Sequence, residues 1–374
     1  MNRKIRILHV VQSAGGVDRY LRTFIKYLDN QLFENIVVCS YDFRSEDYKE
    51  LVSCFEQVDM RRTIGMKDFF LIGKVRKLIK KYKPDIVYAH SSKAGVIGRI
   101  ANIGLKSKCV YNPHGWSFNM RCSSINKRMY VLIERVVAKF CDKIICISDA
   151  EKKSALDNKI CKEYKLKVIY NGIDIEVYEN GEHNVISRRD LNIPKEAFVV
   201  GMVGRISQQK APDVFVEAAE MIKRKLDSSF FIIVGDGEQK DYIINYATEN
   251  GLVDSLYVTG WVDNPMDYIE LFDVATLLSR WEGFGLVLPE YMIERKPIVA
   301  TNVDAIPNII CDGKNGLLVR MDQPSEVCEA VMRLHDDKEL YQSIVDNAHE
   351  DVYCKYDAKR VAEEHKELFF DMCY

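Results

Sequence analysis

What most restricts this chain is a pattern that occurs twice. Short runs rich in Ile and Val alternate with amphipathic stretches of helical period. Ile5–Val11 and residues 35–39, 85–88, 109–112 and 143–147 make the first series, and residues 199–203, 230–234, 256–259, 274–278 and 298–301 make the second. Helical patterns lie between several of them, at 17–28, 68–82 and 127–140. A continuously apolar strand is covered on both faces, and alternation with helices supplies the cover, so each series predicts a parallel sheet in an α/β layer structure. At 374 residues the chain exceeds one ordinary core, and two Rossmann-like domains are expected. The polar stretch 170–194 separates the series, with turn chemistry at Asn171-Gly172, Asn180-Gly181 and Ile193-Pro194. The domains are placed at residues 1–178 and 179–355. The closing helical segment, 356–374, is assigned back to the first, as two-domain folds of this kind often do.

Charge divides the chain as well. Residues 1–150 hold 27 Lys and Arg against 14 Asp and Glu, and the remainder holds 26 against 41. A basic half predicts an anionic partner: nucleic acid, a membrane surface or a phosphorylated substrate. No helix-turn-helix, RNA-recognition or zinc signature is present, so nucleic acid is ranked low. Helix 72–83 carries Lys74, Arg76, Lys77, Lys80, Lys81 and Lys83, interleaved with Val75, Leu78 and Ile79. Such a helix suits an anionic membrane surface, or is an ordinary solvated helix. No apolar run reaches the roughly 18 residues needed to span a bilayer. Eleven cysteines, an odd number without a Cys-x-x-Cys pair, and a start that leaves no room for a signal peptide predict a reducing cytoplasm.

In open parallel sheets, ligands bind where loops leave the carboxyl ends of the strands. The first such loop contains Gly15-Gly16, which lets backbone N–H groups approach an anion or simply makes a tight turn. It is not a Gly-x-Gly-x-x-Gly fingerprint, so a nicotinamide cofactor is not favoured. His114 lies in a loop between Pro113 and Gly115, where an imidazole can handle a proton. His9 reads as a core residue. His90 ends a strand before Ser91-Ser92-Lys93, which either hold an anion or cap a helix. Ser148-Asp-Ala-Glu151 has capping-box spacing. In the second half, Arg205 and Lys210 flank a strand-to-helix loop and either neutralise a diphosphate or are solvated charges. Asp236 and Glu238 stand in a glycine turn and are read as a turn, not a metal site. The segment Glu282-Gly-Phe-Gly-Leu-Val-Leu-Pro-Glu290 leaves backbone amides unshielded at Gly283 and Gly285, with Glu282 in the loop and Glu290 at a helix start. The bland reading of that segment is a helix with an acidic first turn.

In their order and spacing, these pieces resemble the family-4 retaining glycosyltransferases, which have the two-domain GT-B fold with Rossmann-like sheets facing across a cleft. The resemblance runs over nearly the whole chain. It includes Gly15-Gly16, the His114 loop, Asn171-Gly-Ile-Asp174, Gly204-Arg205 with Lys210, Val234-Gly-Asp-Gly237, Gly260-Trp-Val262, Glu282 with Glu290, and Asp312-Gly-Lys-Asn-Gly-Leu-Leu318. It implies that Arg205 and Lys210 hold the diphosphate of a nucleotide-sugar, in particular a UDP-sugar. It implies that Glu290 accepts from the ribose hydroxyls and that Val262 lies near the base. Glu282 and the amides of Gly283, Phe284 and Gly285 would meet the transferred sugar and its phosphate, and His114 would face that sugar from the other domain. Gly16 would approach phosphate or acceptor. Enzymes of this kind often extend lipid-diphosphate-linked sugars, which makes Ser91, Ser92 and Lys93 candidates for acceptor phosphate and implies surface polysaccharide assembly at the inner membrane face. No cofactor and no metal are expected, since the cations take the leaving-group charge.

Four positions depart from the family pattern: Tyr291 where a small residue is common, Arg295 for Gly, Val303-Asp304-Ala305 for Val-Gly-Gly, and Asn308 for Glu. Two alternatives share the same donor site: a GT-B epimerase or phosphorylase, and a catalytically silent nucleotide-sugar-binding subunit.

Overall fold

The computed structural model describes residues 3–12, 15–61, 67–180 and 186–374. The chain divides into two compact units, residues 1–174 with 356–374, and residues 175–355.

The first unit is built on strands β1 (Ile5–Val11), β2 (Phe33–Cys39), β3 (Cys54–Gln57), β4 (Ile86–His90), β5 (Lys108–Asn112), β6 (Lys143–Cys146) and β7 (Leu166–Val168). They pair in the order β3-β2-β1-β4-β5-β6-β7, parallel throughout. Helices α1 (Gly16–Tyr27), α2 (Lys67–Tyr82), α3 (Ser92–Ala101), α4 (Ser124–Val137) and α5 (Asp149–Asp157) follow in chain order. The alternating runs form the central strands because their side chains are buried on both faces. Tyr20, Leu21, Phe24 and Ile25 make the buried stripe of α1. On α5 the Ser148 hydroxyl accepts from the Glu151 amide at 3.2 Å, which is the capping reading of that segment.

The second unit opens with α6 (Ile175–Asn180). Its strands are β8 (Phe198–Val203), β9 (Ser229–Val234), β10 (Leu256–Val258), β11 (Val274–Leu277), β12 (Ile298–Thr301) and β13 (Leu317–Val319). Their order is β10-β9-β8-β11-β12-β13, again all parallel. Its remaining helices are α7 (Pro212–Lys225), α8 (Lys240–Glu249), α9 (Met266–Ile269), α10 (Val287–Ile293), α11 (Ile306–Ile309), α12 (Pro324–Asp336) and α13 (Lys338–Lys355). The last helix, α14 (Ala358–Cys373), belongs to the first unit and packs on α1, with Phe369 against Phe24 and Phe33.

Strand order reverses once in each sheet, between β1 and β4 and between β8 and β11. Such a switch point sends the two flanking loops in opposite directions and opens a crevice at the carboxyl edge. The loops with chemical content are the ones that leave these strands.

Candidate functional site

In the second unit the loops after β8 and β11 meet. Lys210 Nζ lies 2.5 Å from Glu282 Oε2, with side chains only 18% and 10% exposed. Ser279 Oγ donates to the same carboxylate oxygen at 3.1 Å, and the Glu282 amide donates to Asp304 Oδ2 at 3.0 Å. One residue that sequence reasoning missed holds these loops together. Arg280 pairs with Asp213 and Asp322 at 2.6 Å each and donates to the Gln208 carbonyl at 3.0 Å. Its own amide donates to the Gln209 carbonyl at 2.8 Å, and Gln209 Nε2 returns a bond to the Trp281 carbonyl. The signal was there: a cation beside the Glu282 motif, with acids at 213 and 322. Nothing in the local spacing joined them.

Gly285 explains the glycine in the motif. Its φ is +81°, and a Cβ there would sit 2.9 Å from Leu277. A side chain would be strained and crowded, so the loop turns beneath Glu282 only with glycine. Gly235 does similar work, since a Cβ would lie 2.1 Å from the Gly204 carbonyl oxygen. The Asp236 to Glu238 segment is thus a backbone-on-backbone turn, and Asp236 Oδ1 accepts from the Gly237 amide at 2.8 Å. Among the described residues, no cluster of His, Cys, Asp or Glu could hold a metal ion.

Arg205 is more exposed and lies 3.3 Å from Glu238. Glu290 is the fourth residue of α10, in its first turn, and is buried. Phe284 is buried, Gly283 half-buried, and Val262, also half-buried, follows the Gly260 turn after β10. Two of the departures have a physical account. The Tyr291 hydroxyl accepts from the Val203 amide at 2.9 Å and donates to the Thr276 carbonyl at 3.2 Å, pinning α10 to both switch-point strands. Arg295, where glycine is frequent, has φ +55° just past the end of α10. The Lys296 amide returns to the Tyr291 carbonyl at 2.9 Å, a helix terminus that glycine favours.

In the first unit, the Gln12 to Gly16 loop is described only in part, because Ser13 and Ala14 lie outside the described residues. Gly15, with φ +108°, caps α1, and Gly16 is its first residue. His114 takes φ +50°, and its amide donates to Asn112 Oδ1 at 2.9 Å. The edge of the Tyr20 ring lies against its imidazole, with 4.7 Å between centroids. Burial pushes the His114 pKa down to about 3. Ser91, at φ +68°, caps α3, and its hydroxyl is buried with no partner among the described residues. Ser92 opens that helix, while Lys93 pairs with Asp68 of α2 at 2.8 Å.

Helix α2 is amphipathic with its apolar face inward: Val75 and Ile79 are buried in the core and Leu78 packs against it, so these residues do not face outward with the cations. Only Phe69 and Phe70, ahead of the basic run, are exposed apolar residues on it. Among the described residues, no helix is long and apolar enough to cross a membrane.

Two switch-point crevices, one lined by a buried Lys–Glu pair and glycine loops, define a two-domain α/β protein of the GT-B kind. Residues 14–177 match Glycosyltransferase Family 4, and residues 185–351 match Glycosyl transferases group 1. The chain is 30% identical to the UDP-Gal:alpha-D-GlcNAc-diphosphoundecaprenol alpha-1,3-galactosyltransferase of Escherichia coli, over 99% of this chain and 97% of that one. It is 24% identical to the capsular polysaccharide biosynthesis glycosyltransferase CapM of Staphylococcus aureus, over 97% and 96% of the two chains. The crystal structure of Anabaena HepE in complex with UDP and glucose superposes with a TM-score of 0.84 at 23% identity, covering 98% of this chain and all of that one. The chain belongs to the family-4 glycosyltransferases and has their GT-B fold.

Proposed function

We propose that this glycosyltransferase moves a sugar, with retention, from a UDP-sugar to a lipid-diphosphate-linked glycan in capsular or surface polysaccharide assembly. The observation that carries the reading is the Lys210–Glu282 pair, held at a switch point by Arg280, Ser279 and Asp304. Cleaving the bond to a nucleoside diphosphate puts charge on the leaving oxygen. Cations and amides fixed in advance act most strongly there. Lys210, Arg205 and the amides of 283–285 take that charge without a metal. Glu282 holds the sugar and Glu290 the ribose, with Val262 beside the base. Among the residues of the first unit, His114 has the role of meeting a sugar, Gly16 that of approaching phosphate or acceptor, and Ser91, Ser92 and Lys93 that of contacting acceptor phosphate. Retention follows from same-face attack, with the leaving phosphate taking the acceptor proton. The donor and acceptor named for the Escherichia coli relative support the same classes here.

A lipid-linked acceptor calls for contact with an anionic membrane surface, and α4 is better suited to it than α2. Ile125, Met129, Leu132 and Val136 are exposed at spacings of four, three and four residues, which makes one outward apolar stripe. Arg121, Lys127, Arg128, Arg135 and Lys139 are exposed around it. The helix has one acid, Glu134, which is turned inward and paired with buried Arg99 at 2.8 Å. An apolar stripe bordered by cations fits the boundary of an anionic bilayer.

The test is a panel of nucleotide sugars, read by thermal shift, nucleoside-diphosphate release and the anomeric configuration of the product. Stabilisation and release with a UDP-sugar are expected, and no stabilisation by any nucleoside diphosphate overturns the donor site. Flotation with anionic vesicles tests the membrane contact, which Leu132→Ser with Ile125→Ser should abolish.

A further inference from the structure

The first sheet carries a line of polar side chains that leads to His114. It begins at Asn35 on β2, passes to His9 on β1 and His90 on β4, and ends at His114 after β5. These four elements are consecutive neighbours in the sheet. The register shows why the side chains meet. Ile7 stands opposite Asn35, His9 opposite Tyr88, and His90 opposite Asn112. Each step therefore moves one strand across and two residues toward the carboxyl edge. Two residues is the period of a strand, so the first three side chains stay on one face, and the loop brings the fourth to them.

The contacts are continuous. Asn35 Oδ1 lies 3.1 Å from His9 Nε2, His9 Nδ1 lies 3.2 Å from His90 Nε2, and His90 Nδ1 lies 3.1 Å from His114 Nε2. The rings of His9 and His90 stack, as do those of His90 and His114. His9 and His90 are fully buried, and Asn35 nearly so. A neutral imidazole has one donor and one acceptor nitrogen, so each bond in such a line dictates the next. The amide oxygen of Asn35 only accepts. His9 must then donate from Nε2 and accept at Nδ1, and His90 must do the same. His114 must donate from Nε2, which leaves Nδ1 as a bare lone pair. Among the described residues, that nitrogen has no hydrogen bond.

We infer that Asn35, His9 and His90 fix the tautomer of His114, so that it offers Nδ1 as an acceptor to a ligand hydroxyl. They are positioning residues, acting through His114 from as far as three hydrogen bonds away. Tyr20, Tyr88, His365 and Arg360 surround the line, and His365 is itself committed, accepting from the Tyr88 hydroxyl at 2.9 Å and donating to the Val361 carbonyl at 2.8 Å. The contribution to turnover rests on the proposed role of His114, whereas the tautomer does not.

The experiment reads the ring nitrogens of His114 directly, by 15N NMR of the histidine-labelled whole chain at neutral pH. In the native protein Nε2 is expected to carry the proton. Asn35→Leu removes the terminal acceptor and should give His114 a mixture of both tautomers. Asn35→Thr, a substitution that suits a strand, has a hydroxyl that both donates and accepts, and should also release the direction. A native His114 protonated at Nδ1, or a tautomer unchanged in both variants, overturns the inference. With the tautomer released, kcat should fall about tenfold, one hydrogen bond's effect, with little change in the donor KM. A released tautomer with native kcat leaves the line standing and overturns the assignment of His114 to the reaction.

Discussion

The two domains repeat one topology but stabilise their switch points with opposite chemistry. In the first, the polar groups near the reversal are mainly imidazoles and phenols, His9, His90, Tyr20, Tyr88 and His365, with the cation of Arg360 beside them. In the second they are ion pairs, Lys210 with Glu282 and Arg280 with Asp213 and Asp322. A neutral network inside a sheet sets direction and tautomer. A charged network on the loops after the central strands suits the phosphorylated donor proposed above. The same fold thus provides one orienting side and one electrostatic side, and the difference should appear in how each fails.

The largest effect belongs to the charged side. Lys210→Ala and Glu282→Gln should each lower turnover by about 10²–10³, the usual effect of losing one preorganised group at developing charge. Thermal stability should also fall, because the two side chains are only 18% and 10% exposed and either substitution leaves the other without its partner, but the loss should be small beside the loss of turnover. Native turnover in either variant would break the comparison at its functional end. Arg280→Leu should act differently, through stability. It removes the guanidinium that pairs with both Asp213 and Asp322, and the second unit should lose about 2 kcal/mol, discounted for the partial exposure of both acids. Denaturant unfolding measures this, and a loss near zero would show that Arg280 does not clamp the loops.

These contrasts also show which parts of the molecule a sequence displays. The central strands were legible because burial on both faces demands unbroken apolar runs, as in Val199–Val203 within β8. The edge strands β3, β7 and β13 were not. Cys54-Phe-Glu-Gln57 and Leu166-Lys-Val168 are short and half-covered, so they carry no such run. The loops around Lys210 and Glu282 were legible as motifs, since glycine is needed where φ is positive or backbones touch. Arg280 was not, because its partners lie 67 and 42 residues away. The histidine line was invisible for a related reason: His9 read as a core residue, which it is, and only the register reveals what it touches. The outward stripe of α4 was not legible because apolar residues on two opposite faces blur the helical pattern.

The neutral side should fail in acid. Burial lowers the pKa of His9 and of His365 to about 4, and of His90 well below its ordinary value. Between about pH 6.5 and 4 the unfolded chain therefore binds more protons than the folded one, and stability falls as pH falls through that window. The second unit has no such buried imidazoles among its described residues. Hydrogen exchange read segment by segment should show β1, β4 and α14 losing protection at pH 5 before β8 and β11 do. Simultaneous loss in both sheets would break the comparison.

An effect of the opposite sign comes from one carboxyl in the same domain. Glu151 is buried, and burial pushes its pKa up to about 8, while the backbone N–H groups of Ile147, at 2.9 Å, and Gly115 pull the other way. Its backbone carbonyl also accepts from the Trp116 indole at 3.0 Å, two residues from His114. Here the folded state keeps a proton that the unfolded state has lost. The stabilisation is complete below the carboxyl's ordinary pKa and declines as pH rises toward about 8. Glu151→Gln cannot ionise, so it should remove this dependence. The variant should match the native protein at pH 5 and exceed it in thermal stability at pH 8. Equal pH dependence in both proteins would mean that Glu151 is ionised in the fold, a further buried charge in the first domain besides the Arg99–Glu134 pair.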